Sequence, residues 1–243
     1  MRLYGKNPVF ERLKSNPRGI KKIYIQQGHE DAGYVYKKAK KWGIPVYSVP
    51  KTKIQKIARN VNTQGIVLDV DSFEYLPYGE LLEIAQNKKM SLLFLDGLND
   101  PQNLGGIIRS VACLGHFVII LPTHKSVAVT ETVLRVACGG DNYVKVAQVT
   151  NLSQAIKKAK EEGFWVVGSV VKGGQELTEV KMPHPLALVI GSEQKGVREV
   201  IQKQLDVAVT IPMAQPRMSL NVAHATTVFC YEAVRQQKAR RRP

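Results

Sequence analysis

From Ser91 onward the sequence alternates short, almost wholly apolar stretches with longer segments of helical character. Apolar stretches of this kind are typical of strands that are buried on both faces, as in a parallel sheet covered by helices. We predict such strands at Leu92–Leu95, Val118–Leu121, Tyr143–Val146, Phe164–Val171, Leu186–Ile190 and Val207–Ile211. The alternation therefore indicates an α/β fold, in which ligands bind beyond the carboxyl ends of the strands.

The first 75 residues follow a similar but weaker pattern. Short β-rich runs at Ile23–Gln26, Val46–Val49 and Ile66–Val70 alternate with Lys-rich helical stretches at Asp31–Lys41 and Ile54–Val61. Proline and glycine then interrupt the pattern around Tyr75–Gly79, before a short helix at Leu81–Lys88. We predict a small α/β domain over residues 1–75, a linker over 76–90 and a larger domain over 91–243.

The charge of the chain indicates a polyanionic partner. Its 243 residues include 35 Lys and Arg against 20 Asp and Glu, which gives a formal charge of +15 and a pI near 9.7. The basic residues are spread over both halves, so the excess is not a single tail. Charge alone also allows a membrane surface or a ribosomal neighbour, and the basic end, Lys238–Arg242, could contact phosphates or fray in solvent.

The sequence lacks the features that are typical of several functional classes. The three cysteines, Cys113, Cys138 and Cys230, are far apart and have no histidine at metal-ligand spacing, so we interpret them as buried thiols in a reducing cytosol. Neither a dinucleotide fingerprint nor a phosphate-binding loop of the GxxxxGK[ST] type occurs. No apolar run approaches the length of a membrane span, so we expect a soluble, cytoplasmic protein.

Three polar clusters each follow a predicted strand. The first runs from Leu98 to Arg109, where Asp100 can cap a helix that begins with Pro101. The pair Gly105-Gly106 would cost that helix roughly 1 kcal/mol for each glycine, so either tight helix packing or a close ligand must require it. For Arg109, beside a glycine-containing loop, contact with an anion is the favoured interpretation.

The second cluster, Val189–Val197, leaves an apolar strand through a glycine-bearing turn in which Glu193 could bind a ligand or merely cap the next helix. In the third, Ile211–Ala225, a strand stops at Pro212 and a loop opens a long helix. We predict Ser219 as its N-cap and Asn221 within its first turn. A buried Asn221 would need a ligand or a backbone partner.

Together and in this order, the clusters resemble the three motifs of the SpoU family of RNA ribose 2'-O-methyltransferases, the TrmH-like branch of the SPOUT superfamily. The first motif is Asn99–Arg109, NDPQNLGGIIR. The others depart from the family pattern at Gln194 and Gln215, where glycine is usual, and at Ala223, where serine is usual. The beginning of the chain looks like the small ribosomal-protein-like (L30e-like) domain that precedes many catalytic domains of this family.

The resemblance implies a deep trefoil knot in a parallel-sheet SPOUT catalytic domain, a bent S-adenosylmethionine (SAM) held in the knotted crevice, a homodimer packed through the knot and no metal. The positions matching the cofactor site are Val170, Ile190, Gly191, Ile211, Met213 and Leu220. Those matching the polar active site are Asn103, Arg109, Glu193, Ser219 and Asn221.

The resemblance casts Arg109 as the activator of the ribose hydroxyl. A guanidinium has a pKa of roughly 12.5 to 13.8, so we expect Arg109 to anchor a phosphate and stabilise an oxyanion instead. Glu193 would orient Arg109 and Asn103, while Ser219 and Asn221 would hold the ribose or the methionine end. The expected substrate is large-subunit ribosomal RNA, with transfer RNA as the first alternative and a non-catalytic RNA-binding or ribosome-assembly protein as the second.

Overall fold

The computed structural model describes residues 1–59, 61–193, 195–215 and 218–240. They group into two compact units. The smaller unit comprises Met1–Glu74 together with Val129–Tyr143, and the larger comprises Tyr75–Ala128 together with the described residues from Val144 onward. The chain therefore passes from one unit to the other three times.

The smaller unit begins with a mixed sheet and its helices. The elements are β1 (Arg2–Tyr4), α1 (Lys6–Ser15), a 3₁₀ turn (Pro17–Gly19), β2 (Ile20–Gln26), α2 (Ala32–Trp42), β3 (Val46–Val49), α3 (Lys51–Ile57) and β4 (Ile66–Val70). Within the described residues the sheet has the order β1-β4-β2-β3. Of the described strand pairs in this sheet, only β2–β3 is parallel, and β3 is an edge strand.

The chain continues through α4 (Tyr78–Asn87), β5 (Ser91–Asp96), α5 (Pro101–Leu114), β6 (Phe117–Pro122), α6 (Glu131–Ala137), a 3₁₀ turn (Gly140–Asn142), β7 (Val146–Val149), α7 (Leu152–Glu161), β8 (Trp165–Ser169), β9 (Gln175–Glu176), β10 (Leu186–Gly191), α8 (Glu199–Gln202), β11 (Val207–Thr210) and α9 (Val222–Arg240). Of these, α6 and the 3₁₀ turn belong to the smaller unit. The described strands of the larger unit form one parallel sheet in the order β7-β6-β5-β10-β8-β11-β9. The predicted α/β fold with a parallel sheet is confirmed.

The centre of this sheet is the core of the larger unit. Every residue of β5 and β6 is buried, as is every residue of β10 except Gly191. Alternate side chains of these strands, such as Leu92 and Phe94, pack with apolar residues of α4 and α7. Burying one such side chain contributes about 1.5 to 3 kcal/mol, which is why the apolar stretches dominate the sequence pattern.

In the smaller unit, a buried ion pair joins two distant segments. Arg12 of α1 donates from its guanidinium to the carboxylate of Asp141, which lies in the 3₁₀ turn after α6. The side chain of Asp141 is 1% exposed and that of Arg12 is 11% exposed. The pair therefore fastens the segment 129–143 to the first helix of the chain.

Several predictions from the sequence were wrong in detail. The strand predicted at Tyr143–Val146 is β7, Val146–Val149, because backbone bonds close a 3₁₀ turn before Tyr143, whose hydroxyl donates to Glu11. The interpretation of the cysteines as buried holds for Cys230 alone. Cys113 is exposed on the outer side of α5 and Cys138 is half-buried at the end of α6. Residues 76–90, interpreted as a linker, include α4, which packs on the sheet.

No helix in the described ranges is long and apolar enough to cross a membrane.

Candidate active site

Polar side chains from the three clusters meet at the carboxyl ends of the parallel strands. Asn103 lies in the first turn of α5 after β5, Glu193 follows β10, and Asn221 precedes α9. The Asn103 Nδ2 lies 3.0 Å from the Glu193 Oε1, and the Asn221 Nδ2 lies 2.8 Å from the same oxygen. The Asn221 Nδ2 also lies 2.9 Å from the Asn103 Oδ1. One side chain from each cluster thus takes part in a single hydrogen-bonded group.

The helix caps explain how two of these residues are placed. Asp100 caps α5 by accepting a bond from the backbone N–H of Gln102 at 2.8 Å, with Pro101 in the first helical position, as predicted. Asn221 caps α9, because its Oδ1 accepts from the N–H of Ala223 at 2.9 Å and its carbonyl accepts from Ala225 at 2.9 Å.

The prediction that Ser219 caps α9 was therefore wrong, since the helix begins two residues later than expected. Ser219 is exposed, and Asn221 stands before the first turn instead of within it. Asn221 is also exposed, not buried, although it has one of the two kinds of partner predicted for it, a backbone group, in the N–H of Ala223. An asparagine can cap the helix with its oxygen while its amide nitrogen donates elsewhere, which a serine hydroxyl does less readily.

The carboxylate of Glu193 accepts from both asparagine amides and, at 3.3 Å, from the backbone N–H of Val222. A negative charge at the N-terminus of α9 is favourable because the helix dipole places partial positive charge there. Arg109 is not one of its partners. Among the described residues, the exposed side chain of Arg109 on α5 makes no hydrogen bond or ion pair and is free to contact a ligand.

A second polar contact, which the sequence interpretation missed, ties the loop after β10 to the end of β5. The fully buried carboxylate of Asp96 accepts from Arg198 twice, from the side-chain Nε at 2.7 Å and from the backbone N at 2.9 Å. A single acidic residue directly after the apolar run Leu92–Leu95 is the sequence feature that could have revealed it. The contact fixes the far end of the loop that carries Glu193.

A cavity of about 460 Å³ opens beside this group, at the ends of β8, β10 and β11. Its volume lies in the range of small-molecule sites, and it has apolar walls with a few polar groups. Its lining includes all six residues predicted to bind the cofactor, together with two of the predicted polar residues: Val170, Ile190, Gly191, Ile211, Met213, Leu220, Glu193 and Ser219.

Close backbone packing at this cavity requires glycine at 191. A Cβ there would lie 2.0 Å from the carbonyl carbon of Gly196, and paired backbone bonds between Ser192 and Gly196 hold the two segments together. In α5, a Cβ on Gly106 would lie 3.4 Å from the Cβ of Ala223. This contact favours helix packing as the reason for Gly106, and it places the departure at Ala223 in the α5–α9 interface.

The other departures from the motif pattern are less informative. Gln215 is exposed in the loop before α9. Gln194, Pro216 and Arg217 lie outside the described residues, as do Arg241 and Arg242 of the basic end of the chain.

A second cavity, of about 660 Å³, adjoins the first and shares Ser192, Glu193, Lys195 and Gly196 with it. Asn103 lies on its wall. Its lining also carries the basic residues His124, Lys125, Lys195 and Arg198, against Asp96, Asp100 and Glu193. Two adjoining cavities, of which the second has the larger share of charged side chains and is called the polar cavity below, could hold two reactants side by side.

Two family models match the chain. The SpoU rRNA Methylase family matches residues 90–231, and a model described as RNA 2'-O ribose methyltransferase substrate binding matches residues 2–76. The chain is 35% identical over 237 residues to the putative TrmH family tRNA/rRNA methyltransferase YacO of Bacillus subtilis, covering 96% of this chain and 94% of the relative. It is 35% identical over 240 residues to the 23S rRNA (guanosine-2'-O-)-methyltransferase RlmB of Shewanella oneidensis, covering 98% of each.

Among solved structures, the fold is similar to the AdoMet-bound rRNA methyltransferase from Sinorhizobium meliloti. The TM-score is 0.80 and the sequence identity is 25%, with 96% of this chain and 86% of that chain covered.

Proposed function

Since the chain belongs to the SpoU rRNA methylase family and is a SAM-dependent RNA methyltransferase, we propose that it methylates a ribose 2'-hydroxyl in large-subunit ribosomal RNA. The observation that carries this proposal is the contact of Asn103, Glu193 and Asn221 beside a cavity lined by the predicted cofactor residues. The choice of ribosomal RNA rests on relatives such as the RlmB enzyme, whose name specifies 23S rRNA.

The first cavity fits SAM by its chemistry. The apolar side chains of Ile190, Ile211 and Leu220 would hold the adenosine part, while the backbone at Gly191 offers polar groups close to the ligand. Ser192 and Glu193 provide polar surface for the charged amino acid end. When bound, SAM supplies a methyl group attached to a positively charged sulfur.

The polar cavity would receive the target nucleotide. Lys125 and Lys195 on its wall provide positive charge for phosphates. We assign Arg109 to a phosphate and to the developing charge on the ribose oxygen, because its high pKa makes it a poor base. The hydroxyl proton would leave late in the transfer or pass to a neighbouring phosphate, so that positioning supplies much of the rate.

The hydrogen-bonded group would have a positioning role. Glu193 accepts hydrogen bonds from both Asn103 and Asn221. It would therefore fix the N-termini of α5 and α9 relative to each other beside the two cavities. Ser219, exposed on the wall of the first cavity, would contact the ribose or the methionine end.

The same proposal includes the finer features implied by the family resemblance. These are a deep trefoil knot in the catalytic domain over residues 91–243, an L30e-like RNA-binding domain over residues 1–75, a homodimer and a cytoplasmic location. Exposed apolar residues on α9, Val228 and Tyr231, support the homodimer, since such side chains favour burial against a partner. Light scattering on the purified protein would give the oligomeric state directly.

Titration calorimetry with SAM, followed by transfer of labelled methyl groups to bulk ribosomal RNA and separately to transfer RNA, tests the proposal. We expect SAM binding and label in ribosomal RNA, at a site that resists alkaline cleavage because its 2'-hydroxyl is blocked. Label found only in transfer RNA would mean that transfer RNA, and not ribosomal RNA, is the substrate. Label on a base would overturn the proposal of ribose methylation.

A further inference from the structure

Two neighbouring tyrosines, one exposed and one half-buried, lie on one face of the sheet in the smaller unit. Tyr24 of β2 and Tyr47 of β3 are direct cross-strand partners, with ring centroids 5.6 Å apart and ring planes inclined by 30°. Tyr47 is 49% exposed on the edge strand, and Tyr24 is half-buried. Tyr24 also packs against buried apolar residues of the unit, Ile54 and Val67 among them, so Tyr47 is the ring open to a ligand and Tyr24 supports it from the side.

Positive charge surrounds these rings. The Lys22 Nζ lies 5.6 Å from the centroid of the Tyr24 ring and 3.3 Å from the Asp69 carboxylate. Contacts with Tyr24 and Asp69 raise the pKa of Lys22, so that this lysine stays charged. The neighbouring helix α3 exposes further lysines, Lys51, Lys53 and Lys56.

Lys22 also lines a cavity of about 660 Å³ on the same unit. The positive side chains of this cavity are those of Arg2, Lys21, Lys22 and Arg59. The facing acidic groups are Asp69 and Glu131, and Asp69 contacts both Arg2 and Lys22. The cations outnumber the acids, which favours a polyanion over a neutral or acidic partner.

We propose that this face binds an unpaired segment of the RNA substrate, with a base stacked on Tyr47 and Tyr24 and the flanking phosphates at Lys22 and Arg59. Paired RNA keeps its bases stacked within the helix, whereas unpaired bases can splay out onto aromatic side chains. A stacking platform beside a positive groove is the usual means of holding single strands. The proposal rests on RNA being the substrate, and it adds recognition of unpaired bases to contacts with phosphates.

Binding of the full chain to two labelled RNAs, a hairpin with a long loop and a fully paired duplex of equal charge, tests this assignment. We expect Tyr47→Ala to weaken hairpin binding by about 5- to 160-fold, the range for loss of one stacked base, and to leave duplex binding unchanged. Tyr47→Phe keeps the ring and should keep the affinity. Tyr36→Ala, at a tyrosine of α2 that is 43% exposed, is the matched control.

The lysine beside the platform gives a second measurement. Lys22→Ala should reduce the slope of log affinity against log salt concentration for the hairpin by about 0.7, the value for one phosphate contact on a single strand. Equal weakening of hairpin and duplex by Tyr47→Ala would overturn the proposal, as would unchanged affinity for both.

The two proposals can fail separately. If wild-type protein transfers methyl groups to RNA but Tyr47→Ala binds the hairpin normally, the stacking surface is wrong and the proposed function stands. If Tyr47→Ala loses hairpin binding selectively while wild-type protein methylates no RNA, the stacking surface stands and the proposed function fails.

Discussion

Each unit of the chain contains polar side chains that connect segments far apart in the sequence, but the two connections differ in their exposure. In the smaller unit, Arg12 and Asp141 form an enclosed ion pair through Arg12 Nη2 and Asp141 Oδ2, while Arg12 Nε and Asp141 Oδ1 have no hydrogen-bond partner among the described residues. In the larger unit, Asn103 is buried, whereas Glu193, which lines both cavities of the candidate site, and Asn221 are exposed.

This difference separates polar groups that hold a fold together from those that arrange a site. Burial raises the pKa of the Asp141 carboxyl, and the nearby charge of Arg12 opposes that effect. Neither partner can therefore be lost without leaving an uncompensated buried charge. The Glu193 group is open to solvent, so its loss should disturb geometry more than stability.

The largest expected effect is the loss of stability when the Arg12–Asp141 ion pair is broken. Asp141→Ala should destabilise the smaller unit by about 3 to 5 kcal/mol, because it leaves the Arg12 guanidinium buried without a partner. Hydrogen exchange followed by mass spectrometry would show faster exchange in peptides from α1 and β4. Replacing both residues by apolar ones, Arg12→Met with Asp141→Leu, should restore most of the loss. A double variant as unstable as the single one would mean that the ion pair is not the cause.

The next largest effect should fall on activity alone. Arg109→Ala should slow methyl transfer by about 100- to 1,000-fold, the usual cost of removing one transition-state hydrogen-bond donor. SAM affinity and the melting temperature should not change, because the Arg109 side chain is exposed and without a partner among the described residues. Kinetics and calorimetry on this variant, with Lys158→Ala on α7 as the control, would check this. Retained activity would contradict the role assigned to Arg109.

The Glu193 group should show a mixture of both effects. Glu193→Ala removes the acceptor for two amides and a backbone N–H, which should cost about 1 to 2 kcal/mol of stability. It should also slow methyl transfer, because the N-termini of α5 and α9 lose the carboxylate that both of them contact. Denaturant titration and methyl-transfer rates would separate the two effects, with Glu199→Ala, exposed on α8, as the control. A pure loss of stability at full activity would make the group structural, like the Arg12–Asp141 pair.

The smallest expected loss of stability is that of a single neutral hydrogen bond. The hydroxyl of Tyr78 on α4 donates to the carbonyl of Ala155 on α7 at 2.7 Å, and burial raises the pKa of this tyrosine, so it stays neutral. Tyr78→Phe should lower the free energy of unfolding by about 1 kcal/mol, as measured by denaturant titration. If Tyr78→Phe lost as much stability as Asp141→Ala, buried charged groups would not contribute more to stability than buried neutral ones, contrary to the difference expected between Tyr78 and the ion pair.

The strongest predictions from sequence were those in which burial decides the residue type. The predicted strands Leu92–Leu95 and Leu186–Ile190 lie within β5 and β10, where both faces are covered. The pattern did not reveal β1, which has only three residues, and it misplaced β7. It also could not assign α6 to the smaller unit, because an amphipathic helix does not specify which core it packs against.

The site was predictable as a set of positions but not as a set of contacts. Asn103, Glu193 and Asn221 were identified, and the structure brings them together. Choosing Asn221 over Ser219 as the N-cap needed the positions of Asn103 and Glu193 in space, since both residue types cap helices well. The contact between Asp96 and Arg198 joins residues 102 positions apart, a distance over which sequence periodicity carries no information.

The placement of residues 129–143 in the smaller unit bears on the order in which the protein can fold as the ribosome makes it. Domains usually fold as they emerge, but Asp141 is synthesised long after α1 has left the exit tunnel. At about 5 to 20 residues per second, several seconds of translation separate the end of β4 from the arrival of α6. During that interval Arg12 has no ion-pair partner, so the smaller unit stays incomplete until more than half of the protein has been translated, although all four strands of its sheet are already made.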